Sequence, residues 1–114
     1  MNVLVVDDQE AIRDTLQTAL DDEGFTVECA ANGREALDIL ERWDPCVILL
    51  DLMMPVMDGW AFRAEQRRSG NDVPIVLLSA AGELSRHQKA LGAAAVIEKP
   101  FDIDHVISAI EGVC

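Results

Sequence analysis

The sequence predicts an α/β fold in which five short strands alternate with five helices to build one parallel sheet covered on both faces. Two observations and one rule lead there. Short apolar runs recur along the chain, each followed by a segment of helical periodicity. Two of the runs, Val47 to Leu50 and Val73 to Leu78, are apolar almost throughout, as in strands buried on both faces. Crossovers between parallel strands are right-handed, which leaves few topologies, and the doubly wound order 2-1-3-4-5 is one of the two common ones.

The elements follow in order. Asn2 to Val6 is a β-favouring run that ends in Asp7-Asp8. Ile12, Leu16, Ala19 and Leu20 form one helical face, with Gly24 suited to end that helix. Phe25 to Cys29 alternates as a strand, and Asn32-Gly33 reads as a turn. Ala36, Leu37 and Leu40 mark a second helix that stops before Asp44-Pro45. Cys46 to Leu50 is the central strand. Asp58 is suited to cap a third helix with a thin apolar face (Trp60, Ala61, Phe62, Ala64) and an end at Gln66-Arg67-Arg68, of which Arg67-Arg68 reads as solvated. After the strand Val73 to Leu78 come a short helix over Glu83 to Leu91, a fifth strand over Ala93 to Ile97, and a turn at Glu98 to Phe101. Asp102 then caps a last helix with the face Ile103, Val106, Ile107 and Ile110.

Length and composition set bounds. Residues 1–114 are expected to form one domain. Half of the residues are hydrophobic, which argues against disorder. No signal pattern and no membrane-length apolar run is present, so a soluble, cytoplasmic protein is expected. The net charge of −12 argues against direct nucleic-acid binding and against an anionic membrane surface. The three cysteines, Cys29, Cys46 and Cys114, are odd in number and irregularly spaced, which fits neither a zinc site nor a disulfide framework. Cys29 and Cys46 are expected to be small buried hydrophobes, and Cys114 has no assigned role.

The chemistry-bearing residues sit just past the strands. The first strand delivers Asp7 and Asp8, the third Asp51, the fourth Ser79 and the fifth Lys99. In a parallel sheet these ends share one edge, beside the point where strand order reverses. Carboxylates so placed repel unless a cation neutralises them, and Mg²⁺ suits an all-oxygen set. An Asp carboxylate can attack phosphorus, while a metal ion, an ammonium and a hydroxyl stabilise the transferring group. Pro55 and Gly59 force the loop after Asp51 to turn. No glycine-rich nucleotide cradle is present, so the phosphoryl group is expected to arrive on another molecule.

Taken together, these residues resemble the receiver domain of bacterial two-component response regulators over the whole chain. The pattern is Asp7-Asp8, Asp51 followed by Met53-Met54-Pro55 and Asp58-Gly59, Ser79-Ala80, and Lys99-Pro100-Phe101. The resemblance implies a flavodoxin-like fold and a phosphorylation-dependent switch. Asp51 would accept phosphate from a sensor histidine kinase or phosphotransfer protein. Asp8, Asp51 and the Met53 backbone carbonyl would hold Mg²⁺, with Asp7 part of the metal site largely through water, and Ser79 and Lys99 would stabilise the phosphoryl oxygens. The peptide bond before Pro100 would be cis. A downstream effector or fused output domain would read the state through the fourth helix, fifth strand and last helix. The domain would catalyse only its own phosphorylation and dephosphorylation.

The chain departs from the family twice. Val96 stands where an aromatic switch residue is frequent, and Ala94 and Ala95 stand where members that dimerise through this face carry acids. Two rival classes fit less well. An Asp-nucleophile phosphatase would have a second Asp at the position of Met53, and a flavin carrier would have a hydroxyl- and glycine-rich loop in place of Asp7-Asp8.

Overall fold

The computed structural model describes residues 1–80 and 91–114, with residues 79 and 80 described by their backbone alone. The elements are β1 (Asn2–Val6), α1 (Glu10–Asp22), β2 (Thr26–Ala30), α2 (Gly33–Leu40), β3 (Val47–Asp51), α3 (Gly59–Arg68), β4 (Ile75–Ala80), β5 (Ala95–Lys99) and α4 (Ile103–Val113). All strand pairs are parallel and the order is β2-β1-β3-β4-β5, as the sequence predicts. The helix expected over Glu83 to Leu91 falls mostly on 81–90, outside the described residues.

Alternation along the strands assigns each side chain to a face. Val3, Val5, Val47, Leu49, Val76 and Leu78 pack with Leu16 and Leu20 of α1 and Val106 and Ile110 of α4. Leu4, Val6, Ile48, Leu50 and Ile75 pack on the opposite face with Ala36 and Ile39 of α2 and Phe62 of α3. Every residue of β3 is buried, because helices cover both of its faces. Full burial of such side chains contributes about 1.5–3 kcal/mol each, which makes this two-sided core the main source of stability.

Local signals set the helix ends. Gly24 has φ +90 just after α1, and Gly24 N–H and Phe25 N–H donate to the Asp21 and Leu20 carbonyls. Asn32 acts as the cap of α2 rather than as a turn residue alone, its side chain accepting from Glu35 N–H. Asp58 and Asp102 cap α3 and α4 as expected. Strands β4 and β5 begin two residues later than the hydrophobic pattern suggests, so Glu98 and Lys99 close β5 instead of belonging to a turn.

Two expectations are corrected. Cys46 and Cys114 are joined by a disulfide across a sequence separation of 68, with Cα atoms 5.6 Å apart. Spacing along the chain gives no hint of this pairing, since only the folded sheet brings the base of β3 to the end of α4. The end of α3 is also not simply solvated. Arg67 and Arg63 both donate to the Leu91 carbonyl, at 2.8 and 3.0 Å, and the fully buried Gln66 donates to Asn71 and to the Val73 carbonyl. Arg68 pairs with Glu65 at the surface.

The loop after β3 contains one strained residue. Val56 has φ +66, and Met57 N–H donates back to the Pro55 carbonyl at 2.7 Å, closing a three-residue turn of the strained kind. A β-branched side chain is disfavoured there. Its side chain is 83% exposed, so little burial compensates. Val56→Gly is therefore expected to stabilise the fold by about 1 kcal/mol, the relieved strain exceeding the added flexibility of the unfolded chain. Urea denaturation checks it, and a lower midpoint for the variant would refute the strain argument.

Candidate functional site

The site is built at the C-terminal edge of the sheet, where β1, β3 and β5 deliver their last residues or the residues just beyond them. Asp7 continues β1 by donating its N–H to the Ala30 carbonyl of β2 at 3.1 Å. Its carboxylate is fully buried. Oδ1 accepts from Gln9 N–H at 2.9 Å and Oδ2 from Lys99 Nζ at 3.0 Å. Asp8, the next residue, is exposed. Asp51 is the last residue of β3, 8% exposed, and its Oδ1 lies 3.3 Å from the Met53 N–H that donates to it. One ligand oxygen from each of Asp7, Asp8 and Asp51 lies within 4.8 Å of the others.

Lys99 reaches into this cluster from the end of β5. Its ammonium lies 3.0 Å from Asp7 Oδ2 and 3.7 Å from Asp51 Oδ2. A charge-assisted hydrogen bond thus joins it to Asp7, and a longer ion pair joins it to Asp51. The Lys99–Pro100 peptide bond is cis. Ser79 lies in β4, in register with Glu98 of β5 and one residue beyond Leu78, the register partner of Asp51. Its backbone therefore stands beside the cluster.

The loop that shapes the site depends on close backbone approach. Gly59 N–H donates to the Leu52 carbonyl at 2.9 Å, and a Cβ on Gly59 would stand 2.8 Å from Leu52 Cα and 3.0 Å from the Asp51 carbonyl oxygen. Only glycine fits there without displacing the backbone that carries Asp51. Met54 turns into the core, whereas Met53 is 80% exposed at the rim. Among the other residues weighed from the sequence, Trp43 packs at the end of α2 and His105 is solvent-facing.

Sequence reasoning overlooked Arg13. From the second turn of α1 its Nη1 donates to the Asp7 backbone carbonyl at 2.8 Å. That bond fixes the peptide unit between the two acidic residues. An arginine on the polar side of an amphipathic helix gives no sequence signal for such a contact.

The chemistry open to this arrangement follows from its charge. An all-carboxylate donor set suits a hard divalent cation. Burial pushes the Asp51 carboxyl above its ordinary value, Lys99 pulls it down, Asp7 pushes it up, the Met53 N–H pulls it down, and Asp8 pushes it up. A raised pKa in the fold means that the folded state holds the proton more tightly than the unfolded chain. Asp51 thus favours folding most below its unfolded pKa and weighs against it as pH rises through the folded value.

Comparison with known proteins agrees with this fold. The family model of the response regulator receiver domain matches residues 3–111. The match covers nearly the whole chain and marks a signalling domain: the chain belongs to the receiver domain family of two-component response regulators. It is 37% identical over 110 residues to the response regulator MprA of Mycolicibacterium vanbaalenii, covering 95% of this chain and 48% of that protein. The match to MprA of Mycobacterium leprae is 37% over 112 residues, 96% of this chain and 49% of that protein. The chain therefore spans about half the length of the curated relatives it matches. Among solved structures, the chemotaxis response regulator CheY4 of Vibrio cholerae superposes with a TM-score of 0.89 at 35% identity, covering 99% of this chain and 98% of that one. The receiver domain of NtrX from Brucella abortus gives 0.88 at 31% identity, covering 97% and 96%.

Asp51→Asn removes the buried charge while keeping the shape. With divalent metal chelated, this variant is expected to melt a few degrees above the wild type at neutral pH. The difference should shrink as pH falls and Asp51 takes up its proton. Thermal melts from neutral to acid pH check both sign and trend, and a variant that melts lower at neutral pH would contradict the reading of Asp51 as a destabilising buried charge.

Proposed function

We propose that this chain is a phosphoacceptor switch in which Asp51 receives a phosphoryl group from a phosphohistidine on a sensor histidine kinase or a phosphotransfer protein. The observation that carries this reading is the gathering of Asp7, Asp8 and Asp51 within 4.8 Å at one sheet edge, with the Lys99 ammonium between Asp7 and Asp51. Asp51 Oδ would attack phosphorus, forming an O–P bond as the N–P bond to the donor imidazole breaks. The freed imidazole keeps the electron pair and takes a proton.

The donor set fits Mg²⁺, with the Asp7, Asp8 and Asp51 carboxylates and the Met53 carbonyl as its holders. When bound, the ion would offset the charge of carboxylates and phosphoryl oxygens together. Lys99 would pair with the phosphoryl oxygens, and Ser79 would donate its hydroxyl to them. Pro55, Gly59 and Pro100 would shape the loops around them. The module turns over no external metabolite, and its reactions are its own phosphorylation and dephosphorylation.

Phosphorylation would shift the balance between two conformations that a downstream effector or fused output domain reads. The domain is proposed to span residues 1–114, to contact no nucleic acid or membrane itself and to work in the cytoplasm. The net charge of −12 supports the first of these exclusions. Among the described residues no helix is long and apolar enough to cross a membrane.

With Mg²⁺ and a small acyl phosphate, the protein is expected to gain one acid-stable, base-labile phosphoryl group, and Asp51→Asn is expected to gain none. Intact-mass measurement reads this directly, and equal labelling of the variant sinks the assignment of Asp51. Asp8→Ala should weaken Mg²⁺ by at least about tenfold. Titration calorimetry provides the check, with unchanged affinity counting against Asp8 as a metal ligand.

A further inference from the structure

We propose that Cys46 and Cys114 form a reversible thiol–disulfide site, a second chemical input remote from the acidic cluster, whose substrate is a dithiol. The two residues lie at the edge of the sheet opposite Asp51. Cys46 immediately precedes β3 and Asp51 closes it, so the five-residue step separates them by about 17 Å along the strand. The disulfide fastens the end of α4 to the base of the central strand.

The exposure of the pair fits attack by an external thiol. Cys114 is exposed and Cys46 is half-buried. The reagent's thiolate would attack Cys114 Sγ, breaking the Sγ–Sγ bond and releasing Cys46 as a thiolate that takes a proton. The reagent's second thiolate would then attack its own sulfur in the mixed disulfide and release Cys114. Two electrons pass to the protein and the dithiol leaves as its cyclic disulfide. Cys29, the remaining cysteine, is a poor competitor because burial pushes its thiol up.

The state of the pair decides how firmly α4 ends. Closed, the last turn is tied covalently to a strand that is itself anchored where Cys46 N–H donates to the Asn2 carbonyl at 2.8 Å. Open, that turn keeps only the partly buried packing of Val113, the packing of Val106 and Ile110 farther back and the Cys114 N–H bond to the Ile110 carbonyl. The thiol state would then set the freedom of the last turn of α4 without touching Asp51.

Thiol counting and hydrogen exchange test this on the whole chain. Under oxidised glutathione the protein should present one free thiol, and after dithiothreitol three, with oxidised glutathione restoring the first count. Amide exchange over the last turn of α4 should quicken by about tenfold or more on reduction, and equally in Cys46→Ser without reductant. Cys29→Ser should leave it unchanged. The acyl phosphate labelling rate should be the same in both thiol states. Three free thiols under oxidised glutathione, a count that fails to return, or exchange at α4 indifferent to reduction would each overturn the clasp. A labelling rate that changes with thiol state would overturn its independence from Asp51.

Discussion

The constraint on which the structure depends is the concentration of negative charge at one edge of the sheet. Asp7 is fully buried, Asp51 nearly so, and Asp8 stands beside them. Buried carboxylates this close are costly unless cations and donors answer them. Lys99 answers two at once, which ties the end of β5 to the ends of β1 and β3 across the sheet. Among the described residues, the Gln9 and Met53 amides supply neutral donors to Asp7 and Asp51. The edge is thus stable enough to fold yet retains excess negative charge, which attracts a divalent cation and which that cation must offset before a phosphoryl group approaches in the proposed chemistry.

Rigidity behind that edge comes from the two-sided core. Strand β3 is buried along its whole length, so the position of Asp51 is set by packing on both faces rather than by the loop that follows it. The loop carries the irregular features: the strained Val56, the close approach of Gly59 to Leu52, and the Met57 carbonyl that accepts from Gly33 N–H of α2. Apolar side chains hold the acid still, and a short irregular backbone wraps it.

The fold was legible because its signals are local and repeated. Continuous apolar strands, helix-period faces and the caps at Asp58 and Asp102 all act within a few residues, and together they fix the 2-1-3-4-5 sheet. The acidic residues and Lys99 were legible for a different reason: parallel topology sends every strand end to one edge, so placing the strands places the residues. Contacts set by tertiary approach alone were not legible. The Arg13 bond to the Asp7 carbonyl, the two arginines on the Leu91 carbonyl and the Cys46–Cys114 disulfide join residues whose local sequence looks ordinary. The two-residue displacement of β4 and β5 has a simpler cause, since Val73 and Ala93 are apolar residues that pack against the core just before the strands begin, and Pro74 offers β3 only its carbonyl, which accepts from Ile48 N–H.

The absence of an aromatic residue at position 96 alters how a change at Asp51 could be felt elsewhere. Leu52, the residue after Asp51, packs with Leu77 and Leu91, and Val96 lies against the same small cluster. The Leu91 carbonyl is held in turn by Arg63 and Arg67 of α3. A shift of the backbone at Leu52 therefore meets a compact aliphatic cluster with a charged anchor behind it, instead of a ring that swings between an outward and an inward rotamer. Close-packed aliphatic contacts transmit displacement by moving backbone together with side chain. Coupling in this chain is then best sought in the register of residues 91–96 against β4 and α3, where the physical connection to Asp51 is continuous.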